Sequence, residues 1–454
     1  MVIIPIILAF FLRIYKIGSN YFFAGENGKE LLYVRNFVQN GGLPLVGLPT
    51  SHEWLTYGPV YYWILIPLVK IFGNSPYILF WISLVVSIIG IVITYFVFTK
   101  IIDKKFSLIL TFFISVSPLW IWVTRLSKLH TFFFILTPVL IYFLYKIWNK
   151  ERRYIFWLGF VFGLLFSFHY SQIPIFLVIF AAFWIKRKYL IIRDYLIFFL
   201  GLVIPNITVL IYDAGNKFSM IKNLVAWIPY RIAGFSGIYP KNNLDSATAV
   251  NTLSSFNEFL GRNIFWDGRF WILTSVLFIL MFVVFVLQNR KVFKKDFFVF
   301  YLTSSTIVQF LALFILTSPP LHYFFPVFLN FWLLFSYFIY KYWQNKFTRI
   351  LTALFIILMS VINVIGLNSE HANDMDYIPL KTQELVAASI VKDANGAAFS
   401  LKRIGPFDYF PENYDQNYRF LILSKGGNLV DTATNVYTIV EDLSKGRVSV
   451  KKND

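Results

Sequence analysis

Long apolar stretches separated by short polar loops run through most of the chain. About 20 apolar residues suffice to cross the hydrocarbon core of a bilayer as a helix. The predicted spans are 1–15, 76–99, 107–122, 129–147, 154–170, 172–186, 194–212, 270–287, 297–316, 323–341 and a last one that ends near residue 366. The pattern therefore predicts a polytopic α-helical membrane protein with about eleven transmembrane helices.

Clusters of lysine and arginine occupy every second loop. They lie at Lys100, Lys104 and Lys105, at Lys146, Lys150, Arg152 and Arg153, at Lys186, Arg187, Lys188 and Arg193, at Arg290, Lys291, Lys294 and Lys295, and at Lys341, Lys346 and Arg349. Cytoplasmic loops carry an excess of lysine and arginine. These five loops are thus predicted to be cytoplasmic, and the loops between them to lie outside.

The segment from Gly58 to Gly73 is apolar but is not counted as a span. It is short, contains two prolines and Lys70, and is rich in interfacial aromatic residues. If this segment crossed the membrane, the loops that follow it would lie on the opposite side from the one that their basic residues predict. We expect a helix lying at the outer surface, a cytoplasmic N-terminus, an external C-terminus, and Arg13 and Lys16 on the outer side.

Two outer loops and a C-terminal tail complete the expected domain organisation. Residues 16–75 and 213–269 are too long for simple connections and are rich in Trp, Tyr, Pro and Gly, which predicts folded segments at the membrane surface. Residues 1–366 form the membrane domain, and 370–454 a small external α/β domain. In that domain KTQELVAASIVKDANG predicts an amphipathic helix closed by Gly396, and RFLILSKGG, NVYTIVED and RVSVKK predict strands.

Composition agrees with a membrane location and explains the net charge of +18. Hydrophobic residues make up 58% of the chain and charged residues 14%. Residues 1–366 contain 31 Lys and Arg against 11 Asp and Glu, whereas 367–454 contain 10 against 12. Because the basic surplus belongs to the membrane part, anionic lipid and topology account for it and no nucleic-acid partner is expected. The chain has no cysteine, which excludes disulfides and thiolate metal sites.

Ionisable residues are absent from the central parts of the predicted spans. Ion-coupled transporters usually place such groups near the membrane midplane. All five histidines, His52, His130, His169, His322 and His371, fall instead on the predicted outer side. Polar residues also collect at span ends for structural reasons, so the distribution suggests an outer functional site without proving one.

Two glutamates in the first outer loop form the sharpest candidate site. In FFAGENGKELLYVRNF, Glu26 and Glu30 are four residues apart and would share one helix face. The structural alternative makes Glu26 an acid stabilised by the helix N-terminus and Glu30 a solvated partner of Lys29 or Arg35.

Several segments, taken in order, resemble those of the integral-membrane GT-C glycosyltransferases. They are FLRIYKIGSNYFFAGENGKE, GPVYYWILIP, TRLSKLHTFFFILTPVLIYF, FSFHYSQIP and HYFFPVFLNFW, and the resemblance covers residues 1–366. Bacterial relatives of the protein O-mannosyltransferases and of the lipid A aminoarabinose transferases are the most similar. In that family an aspartate shortly after the first span is the catalytic base. The matching position here is Glu26, and Glu30 remains the alternative.

The resemblance implies inverting transfer of a sugar from a polyprenyl-phosphate carrier in the membrane to an acceptor hydroxyl of a protein, lipid or glycan. A carboxylate would deprotonate the acceptor, and cations would stabilise the departing phosphate. Candidate phosphate ligands are Arg125, Lys128, His130, Arg231, Arg262 and His322. Candidate substrate contacts are Tyr61, Tyr62, His169 and Tyr170, and Asp213 is either a second acid or a helix cap. Each cation could instead be an interfacial residue that snorkels to the headgroups.

No cofactor and no metal are expected from the sequence, because TRLSKLH lacks the Asp-x-Asp pair of the oligosaccharyltransferases. Two other functional classes stay open. A flippase or transporter of lipid-linked saccharides would share the location but should carry polar groups through its spans. A membrane scaffold for the C-terminal domain would need no Glu26.

Overall fold

The computed structural model describes residues 2–238, 245–368, 378–405, 414–442 and 447–453. The helices are α1 (Ile3–Ile14), α2 (Ile17–Asn20), α3 (Gly25–Asn40), α4 (Val60–Phe72), α5 (Ile78–Ile101), α6 (Lys104–Val116), α7 (Pro118–Leu126), α8 (Phe133–Trp148), α9 (Ile155–Phe168), α10 (Ile173–Ile185), α11 (Ile192–Val203), α12 (Ile207–Gly215), α13 (Ser219–Phe235), α14 (Ser246–Arg262), α15 (Trp271–Asn289), α16 (Phe297–Leu316), α17 (Asn330–Lys341), α18 (Lys346–Asn368), α19 (Leu380–Ala394) and α20 (Gln416–Ser424). The strands are β1 (Ser400–Ile404), β2 (Val436–Asp442) and β3 (Arg447–Asn453).

Each predicted span coincides with one helix or with a bent pair of helices. Within the described ranges, six helices are long and apolar enough to cross a membrane, or eight if each bent pair is one span. Residues of α6 and α7 form one such pair, with a bend of 56° just before Pro118, which removes a backbone donor at that point. The helical membrane fold is therefore as predicted, whereas the count of eleven spans stays a prediction.

The five basic loops lie together at one end of the helix bundle. Their contacts are Tyr340 with Asp103, Lys105 with Trp343, Lys341 with Gln288, Trp148 with Lys295, Lys186 with Trp148, and Arg152 with Asp194. The loops between them meet at the opposite end, where Glu26 contacts Lys128. This grouping is the alternation that the lysine and arginine pattern predicts.

The segment after Gly58 forms helix α4, whose 13 residues span about 20 Å at 1.5 Å per residue. A crossing needs about 30 Å of apolar length. The helix packs against α3, and the rings of Tyr61 and Tyr62 are buried in the protein. Its length and its contact with the first outer loop agree with a helix at the outer surface.

Arg13, expected on the outer side after the first span, is a buried residue of the bundle. It belongs to the last turn of α1 and is fully buried. Its guanidinium donates to the side chains of Ser87 and Thr124, at 2.9 and 3.2 Å, and to the carbonyl of Ser115 at 3.0 Å. A polar network of hydroxyl and carbonyl groups from α5, α6 and α7 therefore solvates this charge inside the bundle.

The described part of the C-terminal domain contains two helices and a three-stranded sheet of order β1-β2-β3. Strands β1 and β2 are parallel, and β2 and β3 are antiparallel. The predicted helix is α19, which ends at Asn395 and Gly396 in the left-handed conformation. The predicted strands NVYTIVED and RVSVKK are β2 and β3, whereas β1 was not anticipated.

The prediction of a strand over RFLILSKGG is wrong, because RFLILS forms the second part of α20, which ends at Ser424. Short apolar runs are ambiguous between helix and strand. Here Tyr418, Leu421 and Ile422 are buried at helical spacing, and Arg419 pairs with Asp415 one turn earlier at 2.8 Å. Tertiary burial on one helix face decides the conformation.

Helix α20 docks on α3 and brings the C-terminal domain over the first outer loop. A Cβ atom at Gly28 would lie 2.3 Å from the backbone nitrogen of Asn417, so only glycine permits this approach. The side-chain amide of Gln383 donates to the carbonyl of Phe23 at 2.8 Å, and the ring of Phe23 lies 6.0 Å from that of Phe420. The segment that follows α1 therefore packs against the C-terminal domain, whereas the orientation of the two termini stays a prediction.

Single cysteines in this cysteine-free chain test the predicted orientation. Ser51, Ser246 and Ser424 are exposed at the predicted outer end, and Lys104 and Lys291 are exposed among the basic loops. Cysteines at the three serine positions should react with an impermeant maleimide on intact cells. Cysteines at the two lysine positions should react only after permeabilisation, and external labelling at position 104 would overturn the topology.

Candidate functional site

Helix α3 holds Glu26 in its first turn. The buried side chain of Asn27 accepts a hydrogen bond from the backbone of Ala24 at 3.2 Å and donates one to the carbonyl of Leu126 at 3.1 Å. It thereby ties the start of α3 to the end of α7. Ser127, the first residue after α7, has a left-handed backbone conformation with φ of 56°. It turns the chain so that Lys128 reaches Glu26.

Glu26 lies between Lys128 and the C-terminal domain, with both carboxylate oxygens engaged. Lys128 binds Oε2, and the Tyr414 hydroxyl donates to Oε1 at 3.2 Å. Half of the Glu26 side chain and 24% of the Lys128 side chain are solvent-accessible. The adjacent ammonium group lowers the pKa of Glu26 to about 2, so this carboxyl is ionised at neutral pH.

Glu30 lies one turn further along α3 in a different environment. It is 7% exposed, and the Tyr61 hydroxyl donates to its Oε2 at 3.0 Å. Burial raises the pKa of Glu30 to about 8, which favours the protonated carboxyl at neutral pH. A solvated pairing with Lys29 or Arg35, the structural alternative, is excluded by this burial.

Three predicted histidines converge next to this carboxylate pair. The ring centroids of His130, His169 and His322 lie 4.9 to 5.1 Å apart. His130 and His169 are 8% and 4% exposed, and His322 is partly exposed. His322 is also close enough to Glu26 for their charges to interact. We name His130, His169 and His322 the histidine cluster.

Gln309 on α16 positions two of the three histidine-bearing segments. Its side-chain amide donates to the carbonyl of Tyr323 at 2.9 Å and to that of Ser171 at 3.3 Å. These carbonyls lie one residue after His322 and two residues after His169. Sequence analysis treated Gln309 only as a neutral polar residue, because its partners are 14 and 138 residues away.

Aromatic residues surround the cluster. The Tyr57 and Tyr323 rings lie 5.7 and 5.2 Å from the His169 ring. The hydroxyl of Tyr170 donates to the carbonyl of Thr56 at 2.7 Å, which fixes the loop before α4. Tyr62 is buried beside Tyr61, with ring centroids 5.2 Å apart. Tyr61, Tyr62 and Tyr170 therefore make structural contacts around the site, whereas the rings of Tyr57 and Tyr323 contact His169 directly.

Two predicted phosphate ligands have structural contacts elsewhere. The Arg125 guanidinium donates to the carbonyls of Leu12 and Tyr15, at 2.9 and 2.8 Å, and so caps the C-terminus of α1. Arg262 pairs with Glu258 at 3.0 Å. The Arg262 guanidinium also lies over the rings of Trp122 and Trp271, at 4.8 and 5.2 Å from their centroids.

Asp213 and Arg231 also lie outside the group around Glu26. The Asp213 carboxylate accepts hydrogen bonds from the amides of Met220 and Ile221, at 2.8 and 3.0 Å, so it caps the start of α13. Arg231 contacts the carbonyl of Leu316. His52 stacks on Trp54, with a centroid distance of 5.5 Å. His371, the fifth predicted histidine, is outside the described residues.

Part of the chain resembles a known protein family. The family model for dolichyl-phosphate-mannose-protein mannosyltransferases matches residues 56–212. The matched segment carries Lys128, His130 and His169, whereas Glu26 and His322 lie outside it. No curated protein matches the chain in sequence.

Two solved structures share the architecture. ArnT of Cupriavidus metallidurans, bound to undecaprenyl phosphate, aligns with a TM-score of 0.64 at 10% identity, over 100% of this chain and 98% of ArnT. The Archaeoglobus fulgidus oligosaccharyltransferase, in complex with Zn and sulfate, aligns with a TM-score of 0.58 at 14% identity over 94% of this chain. This chain spans 61% of the length of the oligosaccharyltransferase. At such identities the likeness concerns the fold.

Residues 56–212 thus match the mannosyltransferase family model, and the chain as a whole has the fold of ArnT. The resemblance to the integral-membrane GT-C glycosyltransferases is confirmed.

Proposed function

We propose that this protein transfers a sugar from a polyprenyl-phosphate carrier to an acceptor hydroxyl, with inversion at the anomeric carbon, at the site around Glu26. The ionised, half-accessible carboxylate of Glu26 beside the Lys128 ammonium is the observation that carries the proposal. It provides a proton acceptor and a phosphate-binding cation within one site. The ArnT structure, which shares the fold, contains undecaprenyl phosphate.

Glu26 is the proposed base because it is charged and reachable at neutral pH. Glu30 is buried, accepts a hydrogen bond from Tyr61 and is favoured in its protonated form at neutral pH, so its carboxylate is less accessible to an acceptor than that of Glu26. A single displacement at the anomeric carbon needs one carboxylate to deprotonate the acceptor, and inversion follows because the acceptor attacks opposite the leaving phosphate.

Lys128 connects donor binding to activation of the base. A carboxylate with a pKa near 2 is a weak base, since proton transfer is most efficient when the pKa lies near the working pH. The donor phosphate competes with Glu26 for the Lys128 ammonium. As Lys128 turns toward the phosphate, the pKa of Glu26 rises, so the base strengthens when the donor is in place.

An apolar cleft beside the site suits an isoprenoid chain. Its volume is about 320 Å³, and apart from Thr306 it is lined by apolar residues, among them Phe256 and Phe310. The rings of both residues pack against Phe324, at centroid distances of 4.9 and 6.1 Å. Because Phe324 lies two residues after His322, a tail in this cleft would place its phosphate end toward the histidine cluster.

Replacing Glu26 by glutamine tests the role of the base. Glu26→Gln keeps the size of the side chain and its hydrogen bond with Tyr414 but cannot accept a proton. Turnover, measured as transfer of radiolabelled sugar from a polyprenyl-phosphate donor by purified protein, should fall by roughly 100-fold or more.

Glu30→Gln is the matched control on the same helix. Because Glu30 is already favoured in its neutral form and glutamine can still accept from Tyr61, turnover should fall much less. Near-normal turnover of a folded Glu26→Gln protein would reject Glu26 as the base.

Replacing Lys128 by methionine tests the coupling between donor and base. Without the ammonium, the pKa of Glu26 should rise toward its ordinary value of about 4.3 or above. The acidic limb of the kcat/KM profile should therefore move to higher pH, and the KM for the donor should increase. Lys222→Met removes an exposed lysine of another outer segment and should change neither quantity. An unshifted profile in Lys128→Met would contradict the coupling.

A further inference from the structure

We propose that His130, His169 and His322 form a binding site for a divalent transition-metal cation, with Zn²⁺ as the representative ion. The coordinating atoms of the three side chains all lie within 4.8 Å of one another. They come from three separate segments: the loop after α7, the loop after α9, and the short helix Leu321–Val327. Packing of these segments, rather than local sequence, brings the imidazoles together.

The three imidazoles would have to move only slightly closer together to coordinate a cation. A point equidistant from three atoms 4.8 Å apart lies about 2.8 Å from each, compared with a Zn–N bond of about 2.0 to 2.1 Å. Each ring would have to approach by less than about 1 Å. His322, which is partly exposed, lies on the accessible side and has the most freedom to move.

An unsatisfied nitrogen in the cluster points to a ligand. Nε2 of His130 is buried and has no hydrogen-bond partner among the described residues. Leaving a buried polar atom unpaired costs about 1 to 3 kcal/mol. Coordination of a cation by this nitrogen would remove that cost. Imidazole ligands suit Zn²⁺, Cu²⁺, Ni²⁺ and Fe²⁺, whereas Mg²⁺ and Ca²⁺ prefer oxygen.

His169 is the ligand with a competing contact. Its Nδ1 accepts a hydrogen bond from the backbone amide of Ser171 at 3.1 Å. Coordination therefore requires the ring to turn over or to exchange this amide for the cation. We accordingly expect His169 to contribute least to the affinity of the site.

The charge balance indicates what the cation would do. Three neutral imidazoles with a divalent ion, beside Lys128 and Glu26, leave a net charge of +2 at the site. A departing polyprenyl-phosphate monoester carries up to two negative charges. The cation would thus share with Lys128 the neutralisation of the leaving phosphate. This role rests on the proposed glycosyltransferase function, whereas cation binding itself does not.

The expectation of a metal-free site came from a missing acidic pair in TRLSKLH. An acidic pair serves cations that prefer oxygen ligands, so its absence says nothing about nitrogen ligands. The last residue of that same segment, His130, is one of the three imidazoles.

Metal titration of the full-length protein tests the site directly. The protein should be purified in detergent through a tag without histidines, stripped with EDTA and titrated with Zn²⁺ in competition with a chromogenic chelator. We expect one Zn²⁺ per chain, and with Co²⁺ the visible absorption of a tetrahedral site. His130→Ala and His322→Ala should each weaken binding by about 100-fold or more, and His169→Ala by less.

His52→Ala is the matched control, since His52 is another histidine of the predicted outer side, stacks on Trp54 and does not belong to the histidine cluster. It should bind Zn²⁺ like the unaltered protein. Absence of stoichiometric binding to the unaltered protein would overturn the proposal, and so would equal binding by His130→Ala and His52→Ala. Sugar transfer measured in parallel separates the two questions: transfer without metal binding rejects only the metal site, and metal binding without transfer rejects only the enzyme function.

Discussion

The contact between Glu26 and Lys128 is the interaction around which the outer end of the molecule is organised. The two residues are 102 positions apart, and neither sits in a long membrane helix. Asn27 joins the segments that carry them, and the Tyr414 hydroxyl of the C-terminal domain donates to the other carboxylate oxygen of Glu26. Because opposite charges at a half-accessible position satisfy each other, the carboxylate stays ionised without being sealed from substrate. A fully buried pair would have no room for an acceptor.

Charged side chains elsewhere in the protein make contacts that stabilise the fold, in contrast to those near Glu26. At the basic end, ion pairs and cation–ring contacts tie neighbouring loops together, as between Arg152 and Asp194. Within the bundle, the guanidinium groups of Arg13 and Arg125 donate hydrogen bonds to hydroxyl and carbonyl groups. These bonds stabilise helix ends and helix crossings. Near Glu26, by contrast, a carboxylate, an ammonium and three imidazoles lie close together. That concentration distinguishes a functional site from the interfacial cations found at any span end.

The sequence predicted the elements whose signal is local. Long apolar runs, alternating basic loops, the helix on which Glu26 and Glu30 are four residues apart and the helix closed by Gly396 all follow from patterns within one segment. Features that depend on distant partners were missed: the burial of Arg13 in a network from three other helices, the positioning role of Gln309, and the contact of Tyr414 with Glu26. The helix over RFLILSKGG was misread for the same reason, since its burial against α3 and α19 decides its conformation. Histidines were predicted on one side, but their convergence depends on packing.

The central claim is that the sugar donor is linked to a polyprenyl phosphate, and it can be tested with the unaltered protein. Purified protein would be given the same labelled sugar either on a defined polyprenyl phosphate or on a nucleotide, each with a panel of hydroxyl acceptors in detergent or liposomes. The account predicts transfer from the lipid-linked sugar and none from the nucleotide sugar, with inverted anomeric configuration in the product by NMR. Transfer from the nucleotide sugar in the absence of any lipid carrier, or retention of configuration, would contradict it.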